Sequence, residues 1–161
     1  MVIQRLDDEE GIVLGKVDGF VTELLRGIIT HAQSDDPHVQ RRLFSEPTGG
    51  REPEFEGEWA EYVHPDLQDT FRSALDVVQG DIAHLSQTNF PAAVKIPIHH
   101  LDAWLSGLNQ ARLAISERYR FTEEEMEEEM GGGQDARTMA LFQMHFYGLL
   151  MECFLQQLDE L

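Results

Sequence analysis

The fold is decided by the segment 96–113, which reads IPIHHLDAWLSGLNQARL. Pro97 lies in its apolar beginning, where a proline excludes a helix interior and favours extended backbone. From position 100 onward the apolar residues recur at three- and four-residue steps, which is the period of one helical face. The segment therefore predicts an extended crossover at 89–98, with at most a minimal strand, followed by an amphipathic helix from 100 to about 118.

Three other long segments have the same helical period, and they run from 8 to about 31, from 65 to about 87 and from 135 to about 158. The last is apolar around most of its circumference, which is typical of a helix surrounded by others. In the first, glycine recurs at Gly11, Gly15 and Gly19. This spacing indicates either a close contact with another helix or a frayed helix start.

Shorter elements and two polar segments lie between these helices. Asp36 before Pro37 is an N-cap followed by a first-turn proline, which predicts a short helix. The segment 45–58 combines prolines, glycines and charges, and this composition predicts a flexible loop. The segment 123–134 joins an acidic run to three glycines, which indicates a solvated charged face followed by a hinge.

We therefore predict an all-α fold, a single helical domain over 1–161 in which the four long helices form a bundle-like core. A chain of 161 residues can bury enough surface to fold without a metal or a disulfide. The short helix near Pro37 and the extended crossover are expected to pack around this core.

Charge and cysteine content limit the classes of partner and the compartment. The chain has 30 acidic and 12 basic residues, which give a formal charge of -18. Because such a field repels phosphate backbones and anionic lipid, we expect neither nucleic-acid nor membrane binding. Cys153 is the single cysteine, so no intrachain disulfide can form, and we expect a cytoplasmic protein.

Several motifs resemble a known family. They are Asp35, Asp36, Pro37, His38 and Val39, followed by Leu101, Asp102, Ala103, Trp104 and Leu105, and then by Leu108, Asn109, Ala111, Arg112 and Leu113. In this order they are similar to the actinobacterial-type domain-of-unknown-function family numbered twenty-seventeen. The resemblance implies a small, acidic, helical cytosolic protein without an established activity. It also implies a link to regulated proteolysis, because genes of the family often lie near that of the Clp protease adaptor.

The densest group of potential metal ligands is His99, His100 and Asp102, with Asp81 and His84 on the preceding helix. Imidazole and carboxylate groups are ligands of divalent ions. However, adjacent histidines point about 100 degrees apart if they are helical, so both would reach one ion only with further ligands. A helix cap or a solvent contact is the alternative interpretation of this cluster.

Asn109 and Arg112 are three residues apart beside the apolar stripe of the predicted helix. A partly buried guanidinium needs a carboxylate or carbonyl partner, because an unpaired buried charge costs several kcal/mol. We interpret the pair as a structural polar clamp, or alternatively as an anchor for an anionic ligand.

Recognisable catalytic motifs are missing from the sequence: it has no phosphate-binding glycine loop, no HExxH motif and no Gly-x-Ser-x-Gly elbow. We therefore expect a non-enzymatic protein-interaction or regulatory module without a cofactor, which forms a homodimer through apolar helix faces. The alternative is a metal-dependent enzyme or a metal-binding protein that uses His99, His100 and Asp102.

Overall fold

The computed structural model describes residues 1–6, 11–44, 53–86, 89–127 and 135–159. It contains a three-stranded antiparallel sheet in the order β1-β2-β3. The strands are β1 (Val2–Leu6), β2 (Gly11–Val17) and β3 (Ala92–Pro97). The central strand β2 is antiparallel to both neighbours, and its residue Gly11 lies opposite Leu6 of β1 and opposite Pro97 of β3.

Helices form the rest of the described chain. They are α1 (Gly19–Ala32), α2 (Pro37–Leu43), α3 (Pro53–Glu58), α4 (His64–Ile82), α5 (Leu101–Tyr119), α6 (Glu123–Glu127) and α7 (Ala136–Asp159). A π-helical segment (Trp59–Val63) joins α3 to α4, and 3-10 segments (Ala83–Ser86 and Ile98–His100) follow α4 and precede α5. The fold is therefore α+β, and the prediction of an all-α fold is wrong.

The error arises in the segment that the sequence assigns to one helix from 8 to about 31. Its first part is β2, in which Ile12 and Leu14 point into the core while Val13 between them is partly exposed. The register with β3 shifts between Leu14 and Val17, and Lys16 has a positive φ of 53°. This bulge adds one residue, so Val17 rather than Lys16 faces the core. The inward positions 14 and 17 are therefore three residues apart, which imitates helical spacing and continues into the buried Val21 of α1.

The helix α1 begins only after β2. Asp18 is its N-cap, and its Oδ1 accepts a hydrogen bond of 2.8 Å from the backbone N–H of Val21. Gly11 and Gly15 belong to the sheet, so neither belongs to a helix contact or to a frayed helix start. At Gly11 a Cβ atom would lie 2.6 Å from the carbonyl oxygen of Ile96, so the approach of β3 requires glycine there.

The other predicted elements lie close to their expected places. The crossover contains β3, which is the third strand of the sheet rather than an isolated segment. Asp36 caps α2 by accepting a hydrogen bond from the backbone N–H of His38. Residues 53–58 of the predicted flexible loop are helical, as are 123–127 of the acidic segment. Positions 45–52 and 128–134 lie outside the described residues.

The helix α5 lies at the centre of the molecule and packs against α1, α2, α4 and α7. Trp104 on α5 is fully buried, and its ring meets that of Phe154 on α7 edge to face at a centroid distance of 6.0 Å. The inward side chains of β2 and β3 belong to the same hydrophobic core. Across the described ranges, no helix combines the length and hydrophobicity that a membrane span needs.

A close contact between α1 and α7 is made possible by Gly27. The hydroxyl of Tyr147 donates a 2.7 Å hydrogen bond to the carbonyl of Leu24, and His31 Nε2 lies 2.9 Å from Oε1 of Gln143. Gln143 thereby finds a hydrogen-bond partner inside the protein, as its position on the apolar helix requires. Burial raises the pKa of the Tyr147 hydroxyl, which stays protonated and able to donate.

We expect Gly27→Ala to lower the free energy of unfolding by about 1–2 kcal/mol, because the added methyl overpacks the contact between the two helices. Its Cβ would lie 2.5 Å from the Tyr147 hydroxyl and 3.1 Å from Nε2 of Gln143. Gly80→Ala on α4 is the matched control, since no atom lies within 4 Å of its Cβ. That variant should gain about 0.5–1 kcal/mol from helix propensity. Urea unfolding measures both, and equal effects of the two substitutions would contradict the packing argument.

We also expect acidification to destabilise the fold through His31. Burial lowers the pKa of this imidazole below its usual value of 6.5, and the charge of Arg118 acts in the same direction. The unfolded chain then binds the proton at a higher pH than the folded chain. The stabilising contribution is complete above pH 6.5 and is lost as the pH falls through the lowered folded pKa. An NMR titration of the His31 ring measures this pKa, and a midpoint at or above 6.5 would contradict the expectation.

Candidate functional site

The residues of the predicted metal cluster lie at the start of α5. The rings of His99 and His100 contact each other at a centroid distance of 4.4 Å. His99 and Asp102 are exposed, whereas His100 is partly buried. The structure therefore brings the two imidazoles together and leaves Asp102 in solvent.

His100 is bonded to a carboxylate on another helix. Its Nδ1 lies 2.9 Å from Oδ2 of Asp81, at the end of α4, and the same oxygen accepts a 2.8 Å hydrogen bond from Nε1 of Trp104. With Asp81 ionised, Nδ1 of His100 carries the proton, so only Nε2 remains for another partner. Asp81 therefore joins α4 to α5 and satisfies the indole N–H of the fully buried Trp104.

This arrangement limits what the cluster can do. Nε2 of His84 donates a 2.7 Å hydrogen bond to the carbonyl oxygen of Ala93, which directs this nitrogen toward β3. Within the part of the chain that the structure describes, no three histidine, cysteine or acidic side chains lie close enough together to hold a metal ion. The geometry is that of a structural junction between helices, in which the Asp81 carboxylate accepts from both His100 and Trp104.

The two residues of the second predicted pair, Asn109 and Arg112, lie in different environments. Asn109 is exposed, whereas Arg112 is partly buried between α5 and α7. The guanidinium lies against Gly148 on α7, where an added Cβ would be 3.4 Å from Cζ of Arg112. In the described structure the hydrogen bond of Arg112 runs from Nη1 to the sulfur of Met151, at 3.8 Å, and none joins it to Asn109.

Arg112 forms the floor of an open groove with a volume of about 450 Å³. The other lining residues are Met126 from α6 and, from α7, Met144, His145, Gly148, Leu149, Met151, Glu152 and Leu155. We call this surface the Arg112 groove. Its wall is mainly aliphatic and sulfur-containing, and its polar groups are one guanidinium, one imidazole and one carboxylate.

Two polar atoms of the Arg112 groove are buried without a hydrogen-bond partner. They are Nε of Arg112 and Nε2 of His145. An unsatisfied buried donor costs about 1–3 kcal/mol, and the cost is larger when the group is charged. Among the described residues no carboxylate forms an ion pair with Arg112. The Nε–H group of Arg112 therefore lacks an acceptor among the described residues.

The helix α6 is fixed beside the groove by an ion pair with α7. Arg137 donates two hydrogen bonds to the carboxylate of Glu125, from Nε at 2.7 Å and from Nη2 at 2.8 Å. These bonds, followed by the backbone bond from Thr122, lower the pKa of Glu125 to about 2. Arg137 also donates to the carbonyl of Tyr119 at the end of α5. This bidentate contact positions Met126 at the rim of the groove.

A second cavity, of about 260 Å³, lies between the end of α1 and the helices α2, α4 and α5. Two of its polar side chains bond to residues outside the lining: the buried Gln110 donates to Oγ of Ser106, and Gln40 donates to the carbonyl of Ser34. Because no lining residue of this cavity has a buried side-chain nitrogen or oxygen without a hydrogen-bond partner, the Arg112 groove is the better candidate for a ligand.

Sequence analysis identified Arg112 but missed its neighbours on α7. His145, Gly148 and Glu152 are three and four residues apart, so they lie on one side of α7. Gly148 is the residue from which this contact could have been predicted, because a glycine inside an otherwise bulky apolar helix indicates the close approach of another group. That group is the guanidinium of Arg112.

We expect Asp81→Ala to lower the free energy of unfolding by about 2 kcal/mol, because it leaves the buried indole N–H of Trp104 without an acceptor. Asp81→Asn is the control, since its amide oxygen can still accept that hydrogen bond, and about half of the loss should remain. Urea unfolding followed by circular dichroism measures both. Equal stability of Asp81→Ala and the unmodified protein would show that the junction contributes nothing.

Comparisons with known proteins give a family and no activity. No curated protein and no solved structure matches the chain. A family described as "Domain of unknown function (DUF2017)" matches residues 1–158, which is nearly the whole chain. The resemblance in the motifs around Pro37 and from Leu101 to Leu113 is thereby confirmed, and the chain belongs to the DUF2017 family.

Proposed function

We propose that the protein is a non-enzymatic protein-interaction module, and that a second copy of the chain docks on the Arg112 groove. The observation that carries the proposal is the guanidinium of Arg112, which has no carboxylate partner among the described residues although it lies in a largely apolar groove. A fold that tolerates this cost has a reason to keep the arginine other than stability.

Exposed apolar side chains support a docking surface at this place. Leu149 is 58% exposed and Leu155 is 47% exposed, and both lie on the wall of the groove. Met126, which also lines the groove, is exposed as well. Single exposed leucines are common, but exposed leucines and a methionine around one concave surface are typical of an interaction site.

Charge complementarity supports a second copy as the occupant. Arg112 and the exposed Glu152 line the same groove. In a two-fold dimer each surface meets an identical surface, so a contact from one residue to another occurs twice. Two grooves placed face to face allow Glu152 of each copy to pair with Arg112 of the other. The contact thus supplies a carboxylate to both guanidinium groups.

The proposal predicts self-association that Leu149→Glu abolishes. Sedimentation velocity over about 1–100 µM should give a mass that rises from 18.4 kDa toward twice that value, in the range of moderate dimer affinities. The added carboxylate of Leu149→Glu would be buried in the contact without a partner. Tyr62→Glu is the matched control, because Tyr62 is 66% exposed and lies outside the groove.

Salt provides a second test of the same contact. Because both copies carry a charge of -18, added salt should screen their repulsion and strengthen the association. An unmodified protein that stays at 18.4 kDa at every concentration and salt level would overturn the proposal. So would a dimer that Leu149→Glu and Tyr62→Glu leave equally intact.

A further inference from the structure

We infer that the Arg112 groove binds an organic monocarboxylate that carries an apolar group, with the carboxylate on Arg112 and the apolar group on the wall formed by α7. This inference goes beyond the proposed function: it uses the same groove, and it assigns Arg112 a small ligand that binds when no second copy occupies the groove. Free aliphatic acids and the carboxyl terminus of a polypeptide that ends in an apolar residue share this chemistry.

The charged end of the ligand is indicated by the two unpartnered nitrogens. The Nε–H group of Arg112 is a donor, and it is buried without a hydrogen-bond partner. A carboxylate can accept from Nε and a terminal nitrogen of a guanidinium together, which gives the strong bidentate form of this contact. His145 lines the same groove, and its Nε2 is likewise buried without a hydrogen-bond partner.

The apolar end of the ligand is indicated by the wall. The groove is lined by Met126 from α6 and by Met144, Leu149, Met151 and Leu155 from α7. Methionine side chains are unbranched and flexible, so they adapt to apolar groups of different shape. The volume of about 450 Å³ is within the range of small-molecule sites and is too large for an inorganic anion alone.

The charge of the whole chain explains why binding needs both the carboxylate and the apolar group of the ligand. A formal charge of -18 opposes the approach of any anion. The exposed carboxylate of Glu152 at the groove acts in the same direction. A single guanidinium therefore cannot give a small anion such as acetate a useful affinity. Burial of an aliphatic chain against the methionines and leucines supplies the remaining free energy.

The test uses octanoate as the probe and the full-length protein, at a concentration where sedimentation gives a monomer. Two-dimensional NMR follows the side-chain Nε–H signals of the arginines, and the Arg112 signal is assigned by its loss in Arg112→Met. Octanoate should shift this signal in a saturable manner. Acetate, which lacks the apolar group, and octanamide, which lacks the charge, should each bind at least about tenfold more weakly.

Two variants separate binding from folding. Arg112→Met should weaken octanoate binding at least about tenfold, while the melting temperature stays unchanged or rises because an unpaired buried charge is removed. Arg118→Met on the same helix is the matched control. It removes the 2.7 Å hydrogen bond from Arg118 to Oγ of Ser34, so it should lower the melting temperature and leave octanoate binding intact. Glu152→Gln should leave binding unchanged or strengthen it.

Peptides distinguish the two sources of the carboxylate. An acetylated tripeptide that ends in leucine is compared with its carboxyl amide. Tighter binding of the free acid than of octanoate assigns the groove to polypeptide carboxyl termini, and octanoate binding without peptide binding assigns it to small aliphatic acids. Either result supports the inference.

Three outcomes would overturn the inference: no shift of the Arg112 signal with octanoate or peptide, equal binding of acetate, or undiminished binding by Arg112→Met. Failure of the dimer is a separate result, because a monomer that binds octanoate retains the carboxylate site. If the protein dimerises at high concentration but does not bind octanoate where it is a monomer, the dimer proposal stands and the carboxylate site is overturned.

Discussion

The burial of Trp104 is the constraint on which the rest of the structure depends. Its indole N–H cannot reach solvent, so an acceptor must be brought to it, and Asp81 supplies one from α4. The same carboxylate holds His100 at the start of α5. The position of α4 against α5 is therefore fixed at this end by hydrogen bonds to a single side chain. With α5 placed in this way, α7 packs along its other side through Phe154.

The sequence predicts the helices well and the sheet poorly, for reasons that lie in particular residues. The apolar period around Trp104 is continuous because α5 is surrounded by other helices, and the Asp36 cap depends only on local spacing. The strand β2 has seven residues, and its bulge at Lys16 gives the inward positions a helix-like spacing. The strand β2 pairs with β1 and with β3. Because β3 begins at Ala92, far along the chain from β2, local sequence patterns do not reveal this second pairing.

In the candidate site, too, the features that depend on neighbouring residues could be predicted, whereas the contacts between distant helices could not. Arg112 could be identified because a charge beside an apolar stripe needs a partner. Its surroundings could not, since the approach of Gly148 depends on how α7 is placed against α5. His99, His100 and Asp102 are close in sequence, yet the residue that binds His100 is Asp81, nineteen positions before it. Spacing within one helix identifies neighbours along the chain and does not identify contacts across the core.

The order of the strands has a consequence for synthesis on the ribosome. The nascent chain completes the β1–β2 hairpin early, but Gly11 pairs with Pro97 of β3. Until β3 leaves the exit tunnel, Ile12 and Leu14 lack their partners on that strand, Ile96 and Val94. An incomplete chain thus presents an uncovered hairpin with a free strand edge, the kind of surface that aggregates or recruits chaperones. Translation that pauses before β3 would prolong this exposure, whereas a pause after α5 would not.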